Sequence, residues 1–113
     1  ESQEIVLDES LKIEILNGNG YVGVASKTAT YLKSKGIKTS GIGNSGSFDY
    51  SNSVIVDWKG NIEKSMYLSK LLNIKASNII VYDRQDKPID VTLVLGKDWT
   101  LDHIKSLYYE NNN

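Results

Sequence analysis

Twice in this chain an alternating apolar strand runs into a Gly/Asn turn and then into a helix with one apolar stripe. That pattern commits the chain to a sheet crossed by helices. In the first instance Leu11, Ile13 and Ile15 alternate with Lys12 and Glu14, the period of a half-buried strand. The turn Asn17-Gly18-Asn19-Gly20 follows. Val22, Ala25, Ala29 and Leu32 then recur at three- and four-residue spacing over about Val22 to Lys35, which predicts a helix. Gly36 takes the place where a left-handed residue ends one. In the second instance Val54, Val56 and Trp58 share one strand face and Ile55 and Asp57 the other. Gly60-Asn61 marks the next helix start, with Asn61 as its N-cap and Ile62, Met66, Ser69 and Leu72 along one face.

The remaining elements are weaker. A strand from about Ile37 to Ile42 is interrupted by Gly41, and Asn44-Ser45-Gly46-Ser47 reads as loop. Strands are expected at Asn78 to Tyr82 and Asp90 to Leu95, joined by a polar loop containing Pro88. A short helix capped by Thr100 follows from about Leu101 to Tyr108. The expected fold is α+β: a ferredoxin-like split βαβ sandwich with a mixed, mainly antiparallel sheet, two helices on one face, an added edge strand and a short C-terminal helix. Residues 1–10, acidic and without a basic residue, read as a linker arm. Residues 11–109 read as a single domain and 110–113 as a frayed tail.

Composition removes whole classes of chemistry. The chain has no cysteine, which excludes thiol catalysis, Cys-ligated zinc and disulfides, and its one histidine, His103, excludes a metal site needing two imidazoles. Thirteen basic against fourteen acidic residues give a net charge of −1, so no global field draws the chain to nucleic acid or to an anionic membrane. No apolar run reaches the length of a membrane span, and no signal-peptide pattern opens the sequence. The first residue is Glu1 rather than Met, as expected for a piece of a longer chain. No cofactor is implied.

Several constellations invite a functional reading. Gly18-Asn19-Gly20-Tyr21-Val22-Gly23 fits G-x-G-x-x-G between a strand and a helix. The acidic residue that a dinucleotide site needs about 20 positions on is missing, because Ile15 to Phe48 holds no Asp or Glu. The turn is therefore expected to be structural, with Gly23 allowing the helix to pass close to the sheet. The same acid-free span carries Lys27 and Lys35 on nearly one helix face, Lys38 just past the helix end and Lys33 pointing away. With a single arginine in the chain, bidentate phosphate or guanine recognition is not favoured. His103 reads as an exposed helical residue. Asp83, Asp86 and Asp90 lack calcium-loop spacing. Trp58 and Trp99 lie at strand ends, where aromatics either cover a core or stack on sugar rings.

Taken in series, Ile15 to Gly20, Gly23-Val24-Ala25, Leu32 to Gly36 and Val91-Thr92-Leu93-Val94-Leu95-Gly96-Lys97-Asp98-Trp99 resemble the C-terminal domain of LytR–CpsA–Psr cell-envelope proteins, the LytR C-terminal family. The likeness runs from about Leu11 to Trp99. The resemblance implies a non-catalytic appendage of an extracytoplasmic, membrane-anchored protein, mainly of Gram-positive bacteria. It implies as partners a cell-wall glycopolymer, peptidoglycan or another envelope protein, with no nucleic acid and no membrane insertion by this stretch itself. The candidate ligand contacts are Asn17, Gly18, Asn19, Gly20, Lys27, Lys35, Lys38, Asp98 and Trp99. Two other readings stand beside this one. One is a small enzyme acting on a phosphorylated or glycan substrate through the glycine turn and Asp98, which requires a second titratable group beside Asp98 in a pocket. The other is a dimerisation domain, which requires an exposed apolar patch.

Overall fold

The alternation in the first strand becomes the seam of the core. Ile15 lies beside Leu93, and Leu93 beside Ile55, so three strands present their apolar residues in one row. The computed structural model describes residues 11–110. Its elements are β1 (Ile13–Asn17), α1 (Val24–Ser34), β2 (Gly41–Asn44), β3 (Val54–Asp57), α2 (Ile62–Leu72), a 3-10 turn (Ala76–Asn78), β4 (Ile79–Val81), β5 (Val91–Leu95) and α3 (Leu101–Glu110). The linker arm assigned to residues 1–10 lies outside the described residues, as does most of the tail, whose first residue, Glu110, ends α3.

The strands form one mixed sheet in the order β2-β1-β5-β3-β4. Ile13, Ile15, Ile55, Val91, Leu93 and Leu95 join Val24, Ala25, Tyr31 and Leu32 of α1, Leu68, Leu71 and Leu72 of α2, and Ile104 and Leu107 of α3 in a single cluster. The two crossover helices thus cover one sheet face, as expected, α3 joins them there, and the α+β arrangement is consistent with a ferredoxin-like split βαβ type of fold. One detail is corrected. Three of the four ladders are parallel and only β3–β5 is antiparallel, so the sheet is not mainly antiparallel. Each crossover helix returns the chain directly beside the strand it left, and only a parallel pair can result. β5, buried along its whole length, joins the two βαβ units.

The helix ends follow local chemistry. After α1 the Ile37 N–H donates to the Leu32 carbonyl and the Gly36 N–H to that of Lys33, with Gly36 at φ 82°, a Schellman closure. At α2, Asn61 occupies the N-cap position but its side chain makes no capping bond. Asp57 at the end of β3 instead fixes the turn that leads into α2. Its Oδ1 accepts from the N–H groups of Lys59, Gly60 and Asn61 at 3.1, 2.8 and 3.1 Å. Gly23 also departs from expectation. A Cβ there would meet nothing within 4 Å, so the residue serves a left-handed turn (φ 81°) rather than close packing against the sheet.

Candidate functional site

The β1–α1 turn is an internally satisfied knot. Asn17 Oδ1 accepts from the N–H groups of Asn19 and Gly20, both at 3.0 Å, while its Nδ2 donates to the Tyr21 carbonyl at 2.8 Å. Gly18 N–H donates to the Leu95 carbonyl. Asn19 is buried, donates from Nδ2 to the carbonyls of Gly96 and Trp99, and accepts the Tyr21 N–H on Oδ1. The N–H groups of residues 18–21, which a phosphate would need, are therefore taken up within the fold.

Trp99 lies beneath this knot. It is 1% exposed, its Nε1 donates to Thr28 Oγ1 at 2.8 Å, and its ring lies 4.3 Å from that of His103. Of the two readings of Trp99, core cover holds and the sugar-stacking contact is corrected, because α3 folds back over the indole and closes it into the core. His103 is likewise half-buried rather than exposed, with Nε2 3.2 Å from the Leu72 carbonyl. Trp58 is the half-buried aromatic on the other sheet face. Tyr82 stacks on it at 5.2 Å and Lys87 Nζ lies 4.3 Å from its centroid, so neighbours already occupy its ring faces.

Asp98 Oδ1 accepts from both the N–H and the Oγ of Ser53, at 2.9 and 2.7 Å. The Gly96 N–H donates to the same Ser53 hydroxyl, and Asn78 Nδ2 donates to the Ser53 carbonyl. Asp98 also lines a polar cavity of about 250 Å³ with Asn52, Asn73, Lys75, Ser77 and Asn78. Ser53, fully buried, organises this corner through its own backbone and hydroxyl. The bonds that hold Asp98 come from an uncharged residue, which is an anchor and not an acid–base pair.

The lysines divide. Lys27 lines a groove of about 380 Å³ between α1 and α3, together with Thr30, Leu101, Ile104, Tyr108 and Lys105. Lys35 Nζ sits 5.7 Å from the Tyr31 ring centroid, and that ring meets Tyr108 edge-on at 5.0 Å. Lys38 is exposed beyond the helix end. Lys27 and Lys35 are about 12 Å apart along the helix axis at 1.5 Å per residue. The structure thus adds Lys105, which sequence reading missed. It approaches Lys27 only because α3 docks on α1, and no local spacing encodes that. Ser53 and Asn78 were missed for the same reason. Among the described residues no group of three His, Asp or Glu side chains converges as a metal site, and no helix is long and apolar enough to cross a membrane.

A family model, LytR C-terminal, described as LytR cell envelope-related transcriptional attenuator, matches residues 10–99 of the 113. The chain belongs to this family. No curated protein and no solved structure matches it. Membership makes this a domain of cell-envelope attenuator proteins, consistent with a non-catalytic role. The matched span carries the sheet, both crossover helices and the Asn19–Gly96 knot. α3, and with it one wall of the lysine groove, lies beyond that span.

Proposed function

We propose that this LytR C-terminal domain is a non-catalytic binding module of an extracytoplasmic, membrane-anchored envelope protein, and that it holds anionic wall glycopolymer along the α1–α3 groove. The observation that carries the reading is that Lys27 and Lys105 line one groove together with Leu101, Ile104 and Tyr108. Lys35 and Lys38 extend positive charge along the same end of a span free of Asp and Glu from Ile15 to Phe48. The α3 acids, Asp102 and Glu110, stand near the two ends of that helix. Phosphate-bearing polymer would meet ammonium groups there, while the C–H faces of its sugar or polyol units met the groove floor. Screening over about 8 Å at physiological salt keeps each contact weak. An array of anchored domains on one polymer would recover affinity through avidity.

The test is retention of the purified chain on immobilised polyglycerol phosphate. Wild type should be retained at low salt and released as salt rises. The Lys27→Glu/Lys105→Glu variant should elute early, and Lys33→Glu, on the far side of α1, should behave as wild type. Equal retention of wild type and the double variant at low salt would overturn the reading.

A further inference from the structure

Strand β4 forms one edge of the sheet, and its outer side pairs with no strand among the described residues. The Tyr82 N–H donates to the Asp57 carbonyl and the Arg84 N–H to that of Trp58, both inward toward β3. By strand alternation the main-chain groups of Val81 and Asp83 then point outward. Natural edges are commonly blunted by lysine, proline or a bulge. Ile79 to Tyr82 contains no charge and no proline. Ile80, Val81 and Tyr82 are 41, 47 and 48% exposed, and Ile62 and Met66 are exposed on α2, the helix that packs against β3 and β4.

We propose that two copies of this chain associate through β4, antiparallel about a two-fold axis at Val81, joining their sheets into one. A second copy is the occupant because this edge is complementary to itself. Centring the axis on Val81 makes it a hydrogen-bonded pair with its own copy, exchanging two N–H to carbonyl bonds. The same register sets Ile80 opposite Tyr82, an aliphatic–aromatic pair of the favourable kind. It sets Asp83 opposite Ile79 and Arg84 opposite Asn78, so no like charges face each other. Arg84 is already paired with Asp86 at 3.1 Å. An interface built on one short strand is small, so the dimer forms weakly and depends on concentration.

Sedimentation equilibrium and amide hydrogen exchange on the whole chain test this, from about 10 μM to about 1 mM, the span in which weak contacts populate. The expected result is a monomer–dimer equilibrium. The amides of Val81 and Asp83 should gain protection with concentration, while those of Ile80 and Tyr82, already bonded inward, should not change. Val81→Pro removes the outward donor without touching the β3 ladder, and loses one bond from each copy. It should weaken the dimer by about 30-fold. Val81→Lys leaves the backbone intact and sets two ammonium groups across the axis, which should give a similar loss even if the proline variant folds poorly. A monomer at every concentration overturns the proposal, as does a dimer unaffected by Val81→Lys. Protection of Val81 only when an unrelated extended peptide is added would assign the edge to a different partner and overturn it too.

Discussion

Asn19 Nδ2 donates to the carbonyl oxygen of Gly96 at 2.7 Å, joining two turns that lie 77 residues apart. The bond ties the exit of β1 to the exit of β5, neighbours in the sheet, at the end where α1 and α3 begin. Removing the carboxamide leaves buried carbonyls at Gly96 and Trp99 without their donor. Asn19→Ala should therefore cost about 1–3 kcal/mol in urea unfolding, the penalty for unsatisfied buried groups. Asn19→Asp should cost more, because it places a carboxylate against those same carbonyls. An Asp variant as stable as wild type would show that the knot is not the anchor its geometry indicates.

Two glycines of the same region should answer to different physics. A Cβ on Gly96 would clash with the Asn52 carbonyl carbon, a backbone atom with little freedom to yield. A Cβ on Gly23 would touch nothing, and its cost is only that of holding a side chain at φ 81°, about 1–2 kcal/mol. Gly96→Ala should destabilise more than Gly23→Ala in parallel thermal melts. The reverse order would mean that the Asn52 segment moves aside freely.

The order of elements was legible from periodicity and turn chemistry alone, and so was the inward face of β5, where Leu93 is 1% exposed. Strand polarity was not. Alternation at Ile13/Ile15 and at Ile55/Asp57 is the same whichever way a neighbour runs, and the ladders are decided by where each crossover helix returns the chain. The site was half legible. Lys27 was found from the acid-free span, but Lys105 joins it through helix docking that no local pattern records. Trp99 stayed open between core cover and ligand contact because a tryptophan at a strand end looks alike whether or not a later helix covers it. Gly23 misled because a glycine needed for φ and one needed for space are the same letter.

Asp57 and Ser65 make an instructive contrast. Asp57 is fully buried and holds three N–H groups of the turn before α2 through Oδ1, whereas its Oδ2 and the Ser65 hydroxyl have no partner among the described residues. Asp57→Ala should cost about 1–3 kcal/mol, since it strips acceptors from buried donors. Ser65→Ala removes a buried hydroxyl that returns no hydrogen bond, and should be neutral or slightly stabilising. Chemical denaturation of the two variants decides it, and a marked loss in Ser65→Ala would reveal a buried partner for that hydroxyl.

At the exposed Arg84–Asp86 pair, the Arg84 hydrogen bond, joined by one from the Asp86 backbone, holds the Asp86 carboxyl below its usual value. The folded-state value is the lower one, so the pair's contribution is present above the ordinary carboxylate range and is lost as pH falls through that depressed value. Both side chains are more than half exposed, so salt screens the contribution. Wild type and Asp86→Asn should differ slightly at neutral pH and low salt, and converge in acid or in molar salt. A gap in stability that widens in acid would contradict the assignment.

Trp99 separates a structural role from a ligand contact. Its Nε1 donates to Thr28 Oγ1, whose own hydroxyl donates to the Val24 carbonyl at 2.7 Å, so the indole is linked through Thr28 to the first turn of α1. Trp99→Phe removes one bond and some volume, and Thr28→Val leaves a buried indole N–H without an acceptor. Each should cost about 1–3 kcal/mol. The double variant should cost less than their sum by about 1 kcal/mol, since one interaction is lost in both. Polymer retention should follow a different pattern. Folded Trp99→Phe should bind polyglycerol phosphate as wild type does, because the ring is closed into the core, while Lys27→Glu/Lys105→Glu should lose binding at unchanged stability. Loss of retention in a fully folded Trp99→Phe chain would move the polymer contact from the α1–α3 groove to the corner around Trp99.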